Sequence, residues 1–497
     1  MELAIVLGAV IVIIVGYIWW IRRHDRKLPP CPVRPLPVVG HLLSLDKDPR
    51  EQYKRWRQQC GDIFSLYLGS NLMVVLNGYD LIADTLVRRG DLSSDRPRMF
   101  IDEASGLVGK GAAFSSGEVW REQRAITMRL LKQFGMGKNI LAEKIQAEIE
   151  CYLKTLSNLK GEATDIRSVT YASVSNIICS IVIGERFEYS DPKFQNLLQD
   201  VATIMKNLQM NSFLNFFPFL RFVPGDPFKG AETVKAISQV CGFAKDYVDR
   251  YSCESDSSYE HENFIAAYKA EKVRKQIHGE TTTMDDANLI KIVYELFIAG
   301  SETTSLIITW CILYMVNHIK AQRKAYQEIS DLIGTERAPN LNDKVQLPYL
   351  GAVIQETMRL ANILPHSLSH AVNSDVEIYG YTIPKGTCIS PNLDSIMHDE
   401  SLWGDDVMSF RPERFLDDTG KLKNIPECVP YSVGRRLCLG ESLANMEIFI
   451  YLASMFQRFE FRPSDSAHPP SMKHVFGFTV APQPYKVRVI ERNVRDT

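Results

Sequence analysis

From Leu3 to Ile21 the chain reads LAIVLGAVIVIIVGYIWWI, nineteen residues without a charge. At about 1.5 Å of helical rise per residue this stretch approaches the roughly 30 Å hydrocarbon core of a bilayer, so it can span a membrane. Glu2 precedes it and Arg22, Arg23, Arg26 and Lys27 follow, which by the positive-inside rule leaves the N-terminus lumenal and everything after Arg22 cytosolic. A cleaved signal peptide wants a basic start and a small-residue cleavage site, and neither is present. Leu28 to Gly40 then carries five prolines, whose missing N–H and fixed φ make a stiff extended spacer. Residues 1–27 are thus expected to be an anchor with a basic flank, 28–42 a proline-rich hinge, and 43–497 the folded body.

Helical periodicity dominates the body, while alternating runs such as Phe64 to Val75 and Val376 to Ile383 predict short strands. The class is mainly α with small β-sheets. The polar stretches Ser252 to Glu262 and Lys272 to Asp286 lie between helical patterns and read as surface loops, so no linker divides the body. The longest helical pattern begins near Asp285 or Asp286, with Leu289, Ile292, Val293, Leu296, Phe297, Ile307, Ile308 and Cys311 on one face. It is apolar nearly all round from Ser305 to Val316, which predicts a helix buried inside a large domain.

Composition narrows the function. With 57 Lys and Arg against 59 Asp and Glu, the balance of −2 argues against a protein that neutralises nucleic-acid phosphate. Ten scattered cysteines form no C-x-x-C pair and no disulfide framework, so most should be reduced thiols facing cytosol.

Two segments break local rules. Ala299-Gly300-Ser301-Glu302-Thr303-Thr304 sets a glycine, an acid and two threonines in the middle of the long helix, where Gly costs roughly 1 kcal/mol against Ala. Such violations mark function, but taken alone the segment is better explained by close helix packing at Gly300 and threonines bonding back to carbonyls one turn earlier. Near the C-terminus, Pro430-Tyr-Ser-Val-Gly434-Arg-Arg436-Leu-Cys438-Leu-Gly440 precedes the helical pattern Glu441 to Leu452. A cysteine before a helix start, beside arginines, is favoured as thiolate, and thiolate binds soft metals.

With these residues the chain resembles the cytochrome P-450 haem-thiolate monooxygenases from end to end. The Gly434-x-Arg436-x-Cys438-x-Gly440 loop looks like the family's haem-binding signature, Glu356-Thr-Met-Arg359 precedes it, and Phe410-Arg-Pro-Glu-Arg414-Phe415 lies between. Ala-Gly-x-Glu-Thr marks the long helix, and the anchor and hinge resemble the animal microsomal members. Tyr431 stands where phenylalanine is usual, and Cys31 interrupts a hinge where glycine is common. The resemblance implies the family fold, with haem b between the long central helix and the Cys-containing loop, and an N-terminal transmembrane helix.

Roles follow residue by residue from that resemblance. Cys438 is the axial thiolate and metal ligand, Thr303 and Glu302 handle dioxygen and deliver protons, and Trp120, Arg124, Arg436, Arg96 and His370 hold the haem propionates. Glu356, Arg359 and Arg414 form a structural charge network. Phe100, Phe114, Phe297, Leu364 and Phe476 are candidates for the substrate pocket, and the phenylalanine-rich run Met210 to Phe222 flanks either the core or a membrane-dipped substrate entrance. The run from Glu295 and the segment Gly380 to Gly386 look most like the branch that oxidises fatty acids, drugs and other small lipophiles. Long-chain fatty acid hydroxylation comes first among the expected reactions, with steroids and xenobiotics as alternatives.

No flavin or nicotinamide module is seen; Gly109-Lys-Gly111 lacks the third glycine of a phosphate fingerprint. Electrons are expected from an NADPH-cytochrome reductase in the endoplasmic reticulum membrane, received near Arg121, Arg129, Lys132 and Arg435, with cytochrome b5 as a second candidate partner. Two rival readings use the same residues: a reductase-independent haem-thiolate isomerase or dehydratase of lipid peroxides, and a non-enzymatic haem-binding protein. The Glu302–Thr303 pair argues against both.

Overall fold

The computed structural model describes residues 7–8, 10–16, 27–136, 139–251 and 263–492. The expected anchor lies largely outside the described residues, as does the expected loop 252–262; residues 10–16 are helical, with apolar side chains such as Val12 71% exposed. The long helices are α1 Arg50–Cys60, α2 Gly117–Gln133, α3 Asn139–Ser157, α4 Arg167–Val182, α5 Pro192–Asn211, α6 Gly230–Arg250, α7 Phe264–Ile277, α8 Asp286–Asn317, α9 Ile319–Ile333, α10 Pro348–Ala361 and α11 Glu441–Arg458. The expected polar loop from Lys272 is helical as far as Ile277, because Phe264, Ile265, Ala267 and Tyr268 bury one face of α7 and carry its polar end.

The chain divides into two compact units. One comprises Met1–Pro97, His366–Ser395 and Val433–Arg435 and holds a four-stranded sheet. Strands β1 (Ile63–Leu68) and β2 (Asn71–Leu76) pair antiparallel with Phe64 opposite Val75, β4 (Cys388–Pro391) joins β2 in parallel, and β3 (His370–Ala371) closes the far edge. The alternating run from Phe64 is therefore two strands, with Gly69 at φ +61 in the turn. The run Val376 to Ile383 likewise folds into a hairpin through Tyr379 and Gly380, at φ +50 and +81; two central residues of positive φ match the right-handed twist of the flanking strands.

The other unit comprises Arg98–Pro365, Ile396–Ser432 and Arg436–Thr497 and is mostly helical. Its axis is α8, which starts where the Asp285 side chain accepts the Asn288 N–H and is buried continuously from Thr304 to Val316. Among the described residues α8 is the one helix apolar and long enough to cross a membrane, and it is instead the core helix, packed by α4, α6, α10 and α11. Gly300 sits where α4 crosses it: a Cβ there would lie 2.5 Å from the Ile178 Cδ1. Close packing thus accounts for this glycine.

Candidate functional site

Cys438 lies at the end of a tight loop leading into α11. Gly434, at φ +83, brings its backbone so near the Leu86 carbonyl that a Cβ would stand 2.1 Å from the oxygen, so only glycine fits. Gly440, at φ −91 with no protein atom within 4 Å of a Cβ, has no such requirement. The Cys438 N–H donates to the Tyr431 carbonyl at 3.1 Å, and the Tyr431 hydroxyl donates to Asn445 on α11 at 3.0 Å, which accommodates a tyrosine in that position. The Cys438 side chain is accessible. Burial is the largest influence on its thiol and pushes it up, while backbone N–H groups of Gly440 and Glu441 and the charge of Arg124 pull it down.

Helix α2 sets Trp120 and Arg124 one turn apart beside this loop. Trp120 is buried and its indole Nε1 has no hydrogen-bond partner among the described residues. The Arg436 guanidinium lies 3.9 Å from the centre of the Trp120 ring and donates to the carbonyls of Ser115 at 2.6 Å and Ala113 at 3.3 Å. Arg124 donates to the Leu437 carbonyl at 2.6 Å. Two cations and an unsatisfied donor therefore converge beside a cysteine at a helix N-terminus, a set that suits a planar group bearing carboxylates around a thiolate-bound metal.

Sequence reasoning missed the residue that braces this corner. Glu295 of α8 accepts the N–H groups of Ala112 at 2.7 Å, Ala113 at 3.0 Å and Phe114 at 3.3 Å, so the strand of loop that Arg436 holds by its carbonyls is held by its amides from the other side. Gly111, at φ +88 with a hypothetical Cβ 2.5 Å from the Glu295 carboxylate, permits the approach. The available signal was two charges, Lys291 and Glu295, four residues apart within the otherwise apolar run from Leu289 to Ala299.

Arg96 and His370 belong to the sheet-bearing unit. Arg96 donates to the carbonyls of Leu368 at 2.8 Å and Ser369 at 2.7 Å, and His370 bonds the Ser93 carbonyl through Nδ1 at 2.8 Å. On α8, the Thr303 hydroxyl donates to the Ala299 carbonyl at 2.7 Å, one turn back. Thr303 and Glu302 keep accessible surface while Ser301 and Thr304 beside them are buried, and burial pushes the Glu302 carboxyl up. A further acid was not foreseen: Glu447 on α11 is buried, its Oε1 has no partner among the described residues, and burial pushes it to about 8 against a hydrogen bond with Thr304.

Glu356 and Arg359 face each other on α10, with Nε to Oε2 at 2.7 Å, and Arg414 reaches Glu356 Oε1 at 2.9 Å. All three are buried. Of the candidate pocket residues, Phe297 packs edge-on to Phe243 with ring centres 5.8 Å apart, and Phe114 lies under the Lys291 ammonium. The Phe100 N–H donates to Asn215 at 2.6 Å, tying it to the phenylalanine-rich segment. Phe476 pairs with Val480, whose N–H donates to Ile363 at 2.8 Å beside Leu364. Within 210–222, Leu214 is buried and Phe213 packs on Phe228, whereas Phe219 and Phe222 are 65% and 74% exposed.

Known proteins resemble this chain over nearly its whole length. The cytochrome P-450 family model matches residues 29–489. The chain is 33% identical over 97% of its length to cytochrome P-450 2U1 of Homo sapiens, covering 92% of that protein. It is 35% identical over 95% of its length to cytochrome P-450 2D3 of Rattus norvegicus and over 93% to cytochrome P-450 2C3 of Oryctolagus cuniculus, covering 94% of each.

Proposed function

The chain belongs to the cytochrome P-450 family, and from that premise we propose that it hydroxylates lipophilic substrates, long-chain fatty acids first, at a haem carried on Cys438. It is a haem-dependent monooxygenase whose haem has a cysteine thiolate ligand. When bound, haem supplies the oxidation: with O2, two electrons and two protons, one oxygen atom enters a C–H bond and the other leaves as water.

The protein's own residues position, exclude and deliver. Cys438 carries the ligand sulfur, steadied by the N–H groups at the start of α11. Trp120, Arg124 and Arg436, with Arg96 and His370, take the propionates. Thr303 and Glu302 pass protons, with burial pushing the Glu302 carboxyl up. Glu356, Arg359 and Arg414 hold the loop region without touching the reacting atoms. Phe100, Phe114, Phe297, Leu364 and Phe476 line the substrate space, and the exposed Phe219 and Phe222 meet the bilayer from which such substrates arrive.

Residues 1–27 anchor the protein in the endoplasmic reticulum membrane, 28–42 form the hinge, and 43–497 are the cytosolic catalytic body. Electrons come from NADPH-cytochrome reductase, with cytochrome b5 as a second donor. Arg121 and Lys132 are exposed on α2, whereas Arg129 pairs with Glu271 and Arg435 with Asp91, each at 2.6 Å; the first two are therefore the freer contacts for an acidic partner.

The observation that carries the reading is an accessible Cys438 near Arg124, on the helix whose Trp120 indole has no partner among the described residues. The deciding measurement is the carbon monoxide difference spectrum of the reduced protein. A strongly red-shifted Soret band is expected in the native protein and its absence in Cys438→Ala; haem binding without that band removes the thiolate assignment. NADPH consumption matched by hydroxylated product in reconstituted membranes then tests the reaction.

A further inference from the structure

A line of polar side chains runs through the helical unit from its surface to the middle of α8. Glu447 of α11 is buried and hydrogen-bonds Thr304 of α8, while its Oε1 has no partner among the described residues. One turn further along the same face of α11, the buried Tyr451 hydroxyl lies 2.6 Å from Ser173 Oγ of α4. Ser173 in turn donates to Glu148 Oε1 of α3 at 2.8 Å. Glu148 also accepts from the Tyr189 hydroxyl and, at 2.8 Å, from Arg186 Nε. Arg186 pairs with Glu188, which is 81% exposed.

An apolar filling would cost less. Each buried carboxyl forfeits hydration, whereas phenylalanine and alanine would occupy the places of Tyr451 and Ser173 without a polar atom to satisfy. What the polar side chains add is continuity. A hydroxyl both donates and accepts, so Tyr451 and Ser173 can each take a proton on one side and release one on the other. Since Ser173 donates to Glu148, its lone pair is what the Tyr451 O–H meets. Carboxyls stand at both ends of this pair of hydroxyls. Burial pushes both up, that of Glu447 to about 8, so Glu447 carries a proton at neutral pH. The outer end of the line reaches solvent at Arg186 and Glu188, and the inner end reaches Thr304, the neighbour of Thr303.

We propose that Glu447 is a second proton supply for the oxygen-handling segment of α8, reloaded from the surface through Tyr451, Ser173 and Glu148; this deepens the monooxygenase reading and rests on it. Glu447 gives its proton to the Thr304 hydroxyl, which releases its own toward the Thr303 side of the helix. The carboxylate left behind is reprotonated from Tyr451, Tyr451 from Ser173, Ser173 from Glu148, and Glu148 from solvent at the Arg186–Glu188 rim. Each O–H bond broken is matched by one formed, and no electron moves. Glu447 acts through Thr304 and does not touch the reacting atoms.

The test moves the resting holoenzyme from H2O into D2O and follows the infrared C=O stretch of the protonated Glu447 carboxyl as its O–H becomes O–D. That band is expected in the native protein and absent in Glu447→Gln; should this variant fail to fold, Glu447→Asp identifies the band by shifting it. Tyr451→Phe and Ser173→Ala should each slow the exchange by about a hundredfold, the scale on which a positioned proton-transfer group acts, and lower the hydroxylated product formed per NADPH. Thr170→Val removes a buried hydroxyl that bonds Tyr152 at 2.8 Å, off the line, and should change neither. Absence of the Glu447 band in the native protein, an exchange rate unchanged in either Tyr451→Phe or Ser173→Ala, or equal slowing in Thr170→Val overturns the inference. So does slowed exchange with product per NADPH unchanged. The carbon monoxide spectrum of the same samples separates the two levels: a missing thiolate band defeats the haem reading, whereas a normal band with unaffected exchange defeats only the proton line.

Discussion

Glu356 and Cys438 lie in the same helical unit and are both attended by arginines, yet their surroundings are opposites. Glu356 accepts from Arg359 at 2.7 and 3.0 Å, from Arg414 at 2.9 Å and from the Arg411 N–H at 3.0 Å. The remaining arms of the arginines are spent on the carbonyls of Met397, Val407 and Trp403. Around Cys438 the sulfur is accessible, the Trp120 indole lacks a partner, and Arg436 and Arg124 rest on loop carbonyls. A closed set of buried hydrogen bonds is a scaffold; an open one awaits a ligand.

Breaking the closed network should have the largest effect on stability. Arg359→Met leaves Glu356 with half its charge partners, and chemical denaturation should show a loss of about 3–5 kcal/mol. Cys438→Ala, by contrast, should shift the denaturation midpoint of the haem-free protein little.

On the open side, Thr303→Val removes a hydroxyl that, among the described residues, donates to the Ala299 carbonyl. Turnover coupled to NADPH should fall by roughly a hundredfold, with unproductive NADPH consumption persisting and stability nearly unchanged. An equal fall in thermal stability would place Thr303 with the scaffold.

Glu447 sharpens the contrast through pH. Its folded value near 8 lies above the ordinary 4.5, so the folded state holds a proton that the unfolded state releases. The resulting stability is fully present below about pH 4.5 and is lost as pH rises through 8. Glu447→Gln should therefore gain on the native protein by about 1.4 kcal/mol per pH unit between pH 5 and 8. Melting curves at three pH values measure it; a flat difference would mean that the carboxyl is ionised when folded.

The smallest effect is expected at Trp120→Phe, which keeps the ring beneath Arg436 and removes only the indole N–H. Haem should dissociate several-fold faster, the weight of one hydrogen bond, while the melting temperature of the haem-free protein stays put.

Much of the framework was legible along the chain. The long helix, its start near Asp285 and the pairing of Glu356 with Arg359 follow from local periodicity and i,i+3 spacing, which depend on neighbours in sequence alone. The alternating runs announced strands, but their turns at Gly69 and Gly380 were not separated from the strands they join, because hydrophobic alternation continues across a two-residue hairpin. Gly300 drew attention as a functional irregularity, and the structure explains it by Ile178, a residue more than a hundred positions away.

By itself, then, the sequence determined the kinds of element, the family and the candidate thiol for the metal, because motifs and periodicities are properties of short segments. Only the tertiary structure decided that Glu295 braces the loop held by Arg436, that Lys291 is buried against Asp102, and that Trp120 lacks a partner. Whether a polar group is satisfied depends on residues brought from distant segments, and no spacing along one segment records it.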